Sequence, residues 1–543
     1  MSAFGDKVAT KAFTARVLVR SGMLRPVGPA KAARTATALR RWGPTVAAGY
    51  TIGAIQHPAA IAIVDERGPL TFADVQRRTN ALARAWAGAG LEAGDGVAIL
   101  CANHRGIVEA TVACAKLGTH ALFLNTAMAE PQITAVCARE RPRAIVYDED
   151  FADAAGEAGR DRLRFVAWSS SAGASRDPSL EQLIETGDPA ELKPPPSKGR
   201  VVILTSGTTG APKGATRRQP ASLDPAAALL ASIPLRAHER TLIAAPMFHS
   251  WGFAHLVLGI ALRSTLVLRR RFDPADTLHA IDEHGVTALA VVPVMLQRML
   301  ELGSKEIARH DLGALRVIAA SGSALPGALA TRVMDVFGEV LYNLYGSTEV
   351  AWATVATPRD LRAAPGTAGR PPRGTVVRLY DADDHEVAPG ETGRIFVGNE
   401  MVFEGYTGGG AKPSLNGLLA SGDVGHFDAE GRLFVDGRDD EMIVSGGENV
   451  FPREVEDLLA RMPGIGEVAV IGVEDMQFGQ RLVAFVALAA GATLGEDDVK
   501  DYVRRNLARF KVPREVVFVD ELPRNAAGKV LKRELARMPR RGS

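Results

Sequence analysis

Val201-Val202-Ile203-Leu204 leads straight into Thr205-Ser206-Gly207-Thr208-Thr209-Gly210-Ala211-Pro212-Lys213-Gly214. The first four residues are aliphatic and mostly β-branched, the pattern of a short buried strand. The ten that follow hold three glycines, four hydroxyls and one lysine. Glycines leave backbone N–H groups able to turn toward an anion, and small side chains let phosphate oxygens approach the backbone. The hydroxyls add donors and Lys213 adds a point charge. Pro212 stands where a Walker A loop has its last glycine, so this phosphate loop is of another kind. A flexible linker has no reason to start from a β-branched strand or to end on a lone lysine.

Strands and helices alternate outward from the loop. Thr71 and Asp74 make a capping box for a helix running through Ala87, with Phe72, Val75, Leu82 and Trp86 at helical spacing. Gly94-Asp95-Gly96 turns into a strand over 97–100, followed by a helix over 107–117 and a strand over 144–147. This alternation predicts an α/β fold with doubly wound sheets. From 374 to 437 the texture changes to short β runs (376–380, 394–397, 433–435) between Gly/Asp turns, which predicts a small β subdomain. Beyond Asp440 the alternation resumes, with helices over 454–461 and 497–508 and strands over 468–473 and 482–488. The expected organisation is a basic helical segment over 1–50, a large domain over 51–437 and a smaller C-terminal α+β lid over 438–543.

Composition bounds the rest. The chain has 543 residues, 46% apolar and 23% charged, which excludes disordered and coiled-coil classes. The net charge of +2 argues against nucleic-acid binding. Cys101, Cys114 and Cys137 form no CxxC pair, so neither a zinc knuckle nor a disulfide framework is expected, and a reducing, cytoplasmic setting fits. Residues 241–262 carry no Lys, Arg, Asp or Glu over 22 positions, yet Pro246, His249, Gly252 and His255 favour a buried strand–loop–helix over a membrane span. Residues 1–46 carry nine basic residues and one acid, Asp6. Three readings fit them: two short helices packed on the main domain, peripheral contact with a membrane surface, or a transit peptide.

Further motifs follow the loop in order. They are Pro246-Met247-Phe248-His249, Tyr345-Gly346-Ser347-Thr348-Glu349, Ser421-Gly422-Asp423, Gly437-Arg438-Asp439-Asp440, Ser445-Gly446-Gly447-Glu448-Asn449 and Pro523-Arg524-Asn525-Ala526-Ala527-Gly528-Lys529. Over residues 50 to 535 the chain resembles the adenylate-forming superfamily of acyl-CoA synthetases, peptide-synthetase adenylation domains and luciferases. It looks most like the bacterial fatty acyl-CoA synthetases.

That resemblance implies ATP, Mg²⁺ and CoA as cofactor and co-substrates. It implies that Thr205, Ser206, Gly207, Thr208, Thr209, Gly210 and Lys213 hold the β- and γ-phosphates. Thr205 and Glu349 would ligate Mg²⁺, and Thr348 would bond the α-phosphate. Ser323, Tyr345 and Gly346 would line the nucleotide site, Asp423 would accept both ribose hydroxyls, and Arg438 would meet ribose or phosphate. Lys529 would stabilise charge between the substrate carboxylate and the α-phosphate. Lys529, Glu349, Thr348 and His249 form the expected catalytic set, with His249 bordering the acyl pocket. After adenylation the lid would turn about Asp440 and bring Gly446 and Gly447 to a thiol tunnel.

Ser421 and Asn525 stand where a threonine and a Thr or Ser are common, and Ser321-Gly322-Ser323-Ala324 where a Gly-Gly-Ala run is common. No acid lies in 246–250, which disfavours an amino-acid substrate. Small residues (Gly252, Ala254, Gly322, Gly346) suit an alkyl chain, so a medium- or long-chain fatty acid is the main expectation. The alternatives are a fatty acyl-AMP ligase loading a carrier protein and an aryl- or other carboxylate-CoA ligase. A homodimer is left open.

Overall fold

The computed structural model describes residues 3–170, 176–205, 213–216, 222–407, 409–441, 443–445, 448–475, 479–525 and 528–539. The chain divides into two compact units, 1–319 with 400–412 and 320–399 with 413–543. The architecture is mixed α/β, as the alternation predicts.

In the first unit a seven-stranded sheet runs in the order Gly405–Tyr406, Lys213–Thr216, Val201–Thr205, His120–Phe123, Gly96–Leu100, Ala144–Asp148, Leu163–Trp168. The last five are mutually parallel. Such strands are covered on both faces and must be apolar throughout; Ala144–Asp148 is buried at every position. Ala98, Leu100, Leu122, Ile145, Tyr147, Val202 and Leu204 pack into one core with Ile133 and Val136 of the helix Glu130–Glu140. A second sheet carries Val317–Ala320, Ala288–Val291, Arg240–Ile243, Thr265–Leu268, Ile61–Asp65 and Gly68–Thr71 in that order.

The capping box closes as expected. Asp74 N donates to Thr71 Oγ1 (3.1 Å) and Thr71 N donates to Asp74 Oδ2 (3.0 Å), starting the helix Phe72–Gly88. The uncharged stretch becomes the strand Arg240–Ile243 and the helix Ser250–Ala261. No described helix is long and apolar enough to cross a membrane. The basic leader forms Ala3–Arg20 and Pro29–Trp42, the first longer than expected at 18 residues. Trp42 and Ala38 are buried against Ala47 and Ala48, and Arg41 pairs with Glu191 at 2.9 Å.

In the second unit the β subdomain orders Val376–Tyr380, Gly393–Gly398, Leu418–Phe427 and Ser414–Leu415, with Leu433–Arg438 also pairing Leu418–Phe427. The ten-residue strand Leu418–Phe427 was not expected, because Ser421, Gly422, Asp423 and Gly425 break the apolar alternation. The C-terminal sheet is built on the hairpin of Ile465–Asp475 and Gly479–Leu488. Its period of two is clean. Val470, Leu482, Ala484 and Val486 face Val455, Leu459, Val499 and Val503 of two helices, while Ala469, Ile471, Val483 and Phe485 face Leu522 and Leu535.

Candidate active site

Tyr345 ends the strand Leu341–Tyr345, and Asp423 sits within Leu418–Phe427. Tyr345 Oη donates to Asp423 Oδ2 at 2.6 Å. Burial first, and then the Asp423 charge, push the phenol well above its ordinary value, so it remains a protonated donor. Asp423 N donates to Ser421 Oγ at 3.1 Å, a contact that the hydroxyl of either serine or threonine can make. Arg438 lies directly across the ladder from Asp423, with Nε 4.0 Å from Oδ1. The predicted nucleoside residues Tyr345, Asp423 and Arg438 are therefore brought together, Tyr345 and Asp423 from 78 residues apart in sequence.

The turn after Tyr345 is constrained. A Cβ on Gly346 would lie 2.1 Å from the Ala351 carbonyl oxygen, so only glycine fits. Ser347 Oγ accepts from Glu349 N (3.2 Å) and Val350 N (3.3 Å) and donates to Glu349 Oε2 (2.9 Å). Ala351 adopts φ +62°, a left-handed conformation that costs a non-glycine residue on the order of 1 kcal/mol. Asn399 Nδ2 holds that turn by donating to the Val350 and Trp352 carbonyls, both at 2.9 Å. Glu349 is thus a buried carboxylate in a fixed orientation, and Thr348 beside it is half-buried. A hard oxygen ligand held this way fits a Mg²⁺ ion. Ser323 is half-buried in the turn after Val317–Ala320, following Gly322 at φ +96°.

Lys529 sits on a small closed turn. Asn525 N donates to Lys529 O and Lys529 N donates to Asn525 Oδ1, both at 2.9 Å. Gly528 takes φ +76°, and Arg524 Nη1 donates to its carbonyl at 2.7 Å. The amide of Asn525 reaches four residues along the chain to make its bond.

In the first unit the two ends of the predicted phosphate loop are fixed by strand pairing. Thr205 pairs with Lys213 and Leu204 with Gly214 in an antiparallel ladder, so both ends of the ten-residue stretch belong to strands. A Cβ on Gly214 would meet Thr407 Oγ1 and Val202 Cγ1 at 2.7 Å. The Lys213 ammonium lies 5.1 Å from the centre of the Tyr406 ring. Ser206, Gly207, Thr208, Thr209 and Gly210 lie outside the described residues, as do Gly446 and Gly447 and the side chains of Thr205 and Asp440.

His249 caps the helix Ser250–Ala261 and packs on Phe248, ring centres 4.7 Å apart. Burial alone pulls its imidazole down to about 4, so it is neutral near pH 7. Trp251 Nε1 donates to Val291 O (3.1 Å) and Ala319 O (3.3 Å). His255 is fully enclosed and edge-on to Trp251, consistent with a structural role.

Sequence reasoning assigned no role to Ser347 or Asn399, although both orient the Glu349 turn. Ser347, two residues before Glu349, was the readable signal, since a serine there accepts backbone N–H groups in an ST turn; Asn399 left none. Cys101, His104 and Asp148 also meet, fully buried. His104 Nε2 bonds Asp148 (2.7 Å) while His104 Nδ1 and Asp148 Oδ2 accept from Gly106 N and Ala102 N, so this cluster is an internal strut.

Family models for the AMP-binding enzyme and the AMP-binding enzyme C-terminal domain match residues 53–407 and 454–529. The chain belongs to the AMP-binding enzyme family. It is an AMP-forming acid–thiol ligase of the acyl- and aryl-CoA type. Indoleacetate–CoA ligase of Aromatoleum aromaticum is 35% identical, covering 89% of this chain and 95% of the relative. Feruloyl-CoA synthase of an Amycolatopsis species is 33% identical over 88% and 96%. Among solved structures, o-succinylbenzoate CoA synthetase of Bacillus subtilis, in complex with its acyl-adenylate intermediate, superposes with a TM-score of 0.78 at 27% identity, covering 91% and 98%. These family members are named for aromatic acids, which backs the aryl alternative over the fatty-acid expectation.

Proposed function

We propose that the chain is an aryl-CoA ligase, which activates an aromatic carboxylic acid as its adenylate and passes the acyl group to CoA. The observation that carries this reading is near-full-length similarity to ligases named for indoleacetate and ferulate. The aromatic cluster around the helix Ser250–Ala261 supports it. Phe248 packs on His249, and Phe253 on Phe123 at 5.3 Å. Flat rings offer offset and edge contacts to a flat substrate.

In the first step a carboxylate oxygen attacks the α-phosphorus of ATP, forming the acyl-AMP bond as pyrophosphate leaves. Two anions must meet, so positioning and charge neutralisation dominate. Asp423 accepts the ribose hydroxyls with Tyr345 and Arg438 beside it, while the strand-bounded loop with Lys213 takes the phosphates. Mg²⁺ supplies Lewis-acid neutralisation of the phosphates when bound, with Glu349 as its ligand. Lys529 delivers positive charge to the carboxylate and α-phosphate, and Thr348 donates to the phosphate. In the second step the CoA thiol attacks the acyl carbon, loses its proton and displaces AMP. The lid over 438–543 turns about Asp440 between the two, replacing Lys529 by the Gly446–Gly447 loop.

The test is a panel of indoleacetate, ferulate, 2-succinylbenzoate, decanoate and palmitate with ATP and Mg²⁺, and with CoA, a carrier protein or neither. AMP release and thioester mass are measured. An aromatic acid should give the highest kcat/KM with CoA, by about tenfold or more over either fatty acid. A fatty acid as best substrate, or thioester formed on the carrier protein alone, would refute the proposal.

A further inference from the structure

We propose that Arg25, Lys31, His57, His238 and Arg263, all within the first unit, form a binding site for a phosphate group.

Three cationic side chains and two imidazoles from separate places in the sequence are drawn together there. Arg263 Nη2 donates to the Gly22 and Met23 carbonyls, both at 3.0 Å. Arg25 folds over the same glycine, so that a Cβ on Gly22 would lie 2.9 Å from Arg25 Nε. His238 is tied in by the residues around it, since Ala237 N donates to Ser21 O and His238 N to Leu262 O. The His57 and His238 rings meet edge to face with centres 4.5 Å apart. Lys31 Nζ donates to Gln56 O at 2.7 Å, one residue before His57.

What sets the cluster apart is its missing counter-charge. Among the described residues no carboxylate pairs with any of the five. Burial comes first in lowering the imidazoles, His238 to about 4, and every charged group acting on them is a cation: Arg263, Arg25, Lys31 or the other histidine. Arg25 also pulls Arg263 down, after burial. Arg25, Lys31 and His238 are exposed to solvent, so an anion can reach them, and it would lower the positive field that the three cations create. Arg263 is buried, and its Nε has no acceptor among the described residues. Guanidinium forks and neighbouring imidazoles are the donor set that recognises phosphate oxygens. Leu24, beside Arg25, and Val19 are exposed apolar side chains, so a phosphate on a lipid headgroup and one on a soluble molecule both fit the chemistry.

The experiment uses the full chain with isotope-labelled histidine and follows the His57 and His238 imidazole titrations. Inorganic phosphate is compared with chloride at equal ionic strength, and phosphatidylglycerol vesicles are compared with phosphatidylcholine vesicles by co-sedimentation. An anion in the site should raise the His238 titration by about one pH unit or more relative to chloride. Arg25→Gln and Lys31→Gln should remove most of that rise while leaving kcat of CoA ligation unchanged. Arg25→Lys, which keeps the charge, should retain part of it and guards against a folding artefact. A shift with phosphate but no vesicle binding assigns the site to a soluble phosphate. Vesicle binding lost in the two Gln variants assigns it to a headgroup. Equal shifts in phosphate and chloride with no vesicle binding, or responses the variants do not change, would overturn the proposal.

Discussion

Asp423→Asn preserves shape and removes charge, which makes it the most direct probe of the proposed nucleoside clamp. In the native chain the carboxylate receives the Tyr345 hydroxyl at 2.6 Å and faces Arg438 Nε at 4.0 Å. Hydrogen bonds to a charged group contribute about 1.5–3 kcal/mol against about 1 kcal/mol for neutral pairs, so each bond to position 423 weakens by roughly 0.5–2 kcal/mol. The Tyr345 bond exists with and without nucleotide and cancels from the binding free energy. The two proposed ribose bonds do not cancel, so ATP binding should lose roughly 1–4 kcal/mol, a rise in Kd of about fivefold to several hundredfold. Calorimetric titration with ATP reads this directly, and acid-dependent pyrophosphate exchange reads it under turnover. Tyr345→Phe is the companion, because it removes one donor to the carboxylate and leaves the ribose bonds. Its effect on Kd should stay within about one order of magnitude. An Asp423→Asn protein that binds ATP within about twofold of the parent would refute the clamp, since no pair of charge-assisted bonds is that weak.

Lys529→Ala should slow adenylate formation by about 10²–10³-fold, the cost of one preorganised charge donor, while thioester formation from preformed aryl-AMP stays within a few fold. Separate half-reaction assays decide it, and equal losses in both would contradict the lid movement. Lys116 is fully buried, and its ammonium donates to Gln76 O and Oε1, Thr79 Oγ1 and Asn80 Oδ1, all uncharged acceptors. Burial pulls its amine from 10.5 down to about 7, so between those values the unfolded chain binds more protons than the folded one. Stability should therefore rise with pH across that window, by up to about 1.4 kcal/mol per unit, with the penalty fully present below pH 7. Denaturant unfolding of the parent and of Lys116→Met at several pH values checks this, and an unchanged slope in the variant would refute it.

Most of the fold was readable because it rests on local rules. The Thr71–Asp74 capping box and the apolar runs over 97–100 and 144–147 each announce their element within a few residues, and the structure returns them nearly to the residue. The strand Leu418–Phe427 was missed because Ser421, Gly422, Asp423 and Gly425 interrupt its apolar pattern. A signal lay just before it, in Asn416-Gly417, which turn the chain at φ +51° and +80° as a two-residue hairpin requires. The candidate site was readable as separate motifs but not in assembly. Tyr345 and Asp423 belong to separate motifs, and nothing local says that one donates to the other. The contributions of Asn399 and Ser347 to the Glu349 turn are likewise tertiary or conformational facts.

The acyl substrate was the least legible part, for an energetic reason. Phosphate, ribose and metal are recognised by charges and directed bonds, which demand particular residue types at particular spacings and so mark the sequence. An apolar pocket discriminates by volume, at about 1–3 kcal/mol per methylene, and many combinations of Gly, Ala, Phe and Trp achieve the same volume. Gly252 and Ala254 suggested room for an alkyl chain. A Cβ on Gly252 would lie 2.3 Å from the Pro246 carbonyl oxygen, so that glycine is required by the close passage of the backbone between Ala245 and the helix start. It therefore says nothing about an acyl chain, and with it goes one of the four small residues on which the fatty-acid expectation stood. The rings at the same helix start, Phe248, Trp251 and Phe253, pack on His249, His255 and Phe123 and so do not report chain length either. The proposed planar acid differs from a fatty acid in energy because a rigid ring loses less conformational freedom on binding.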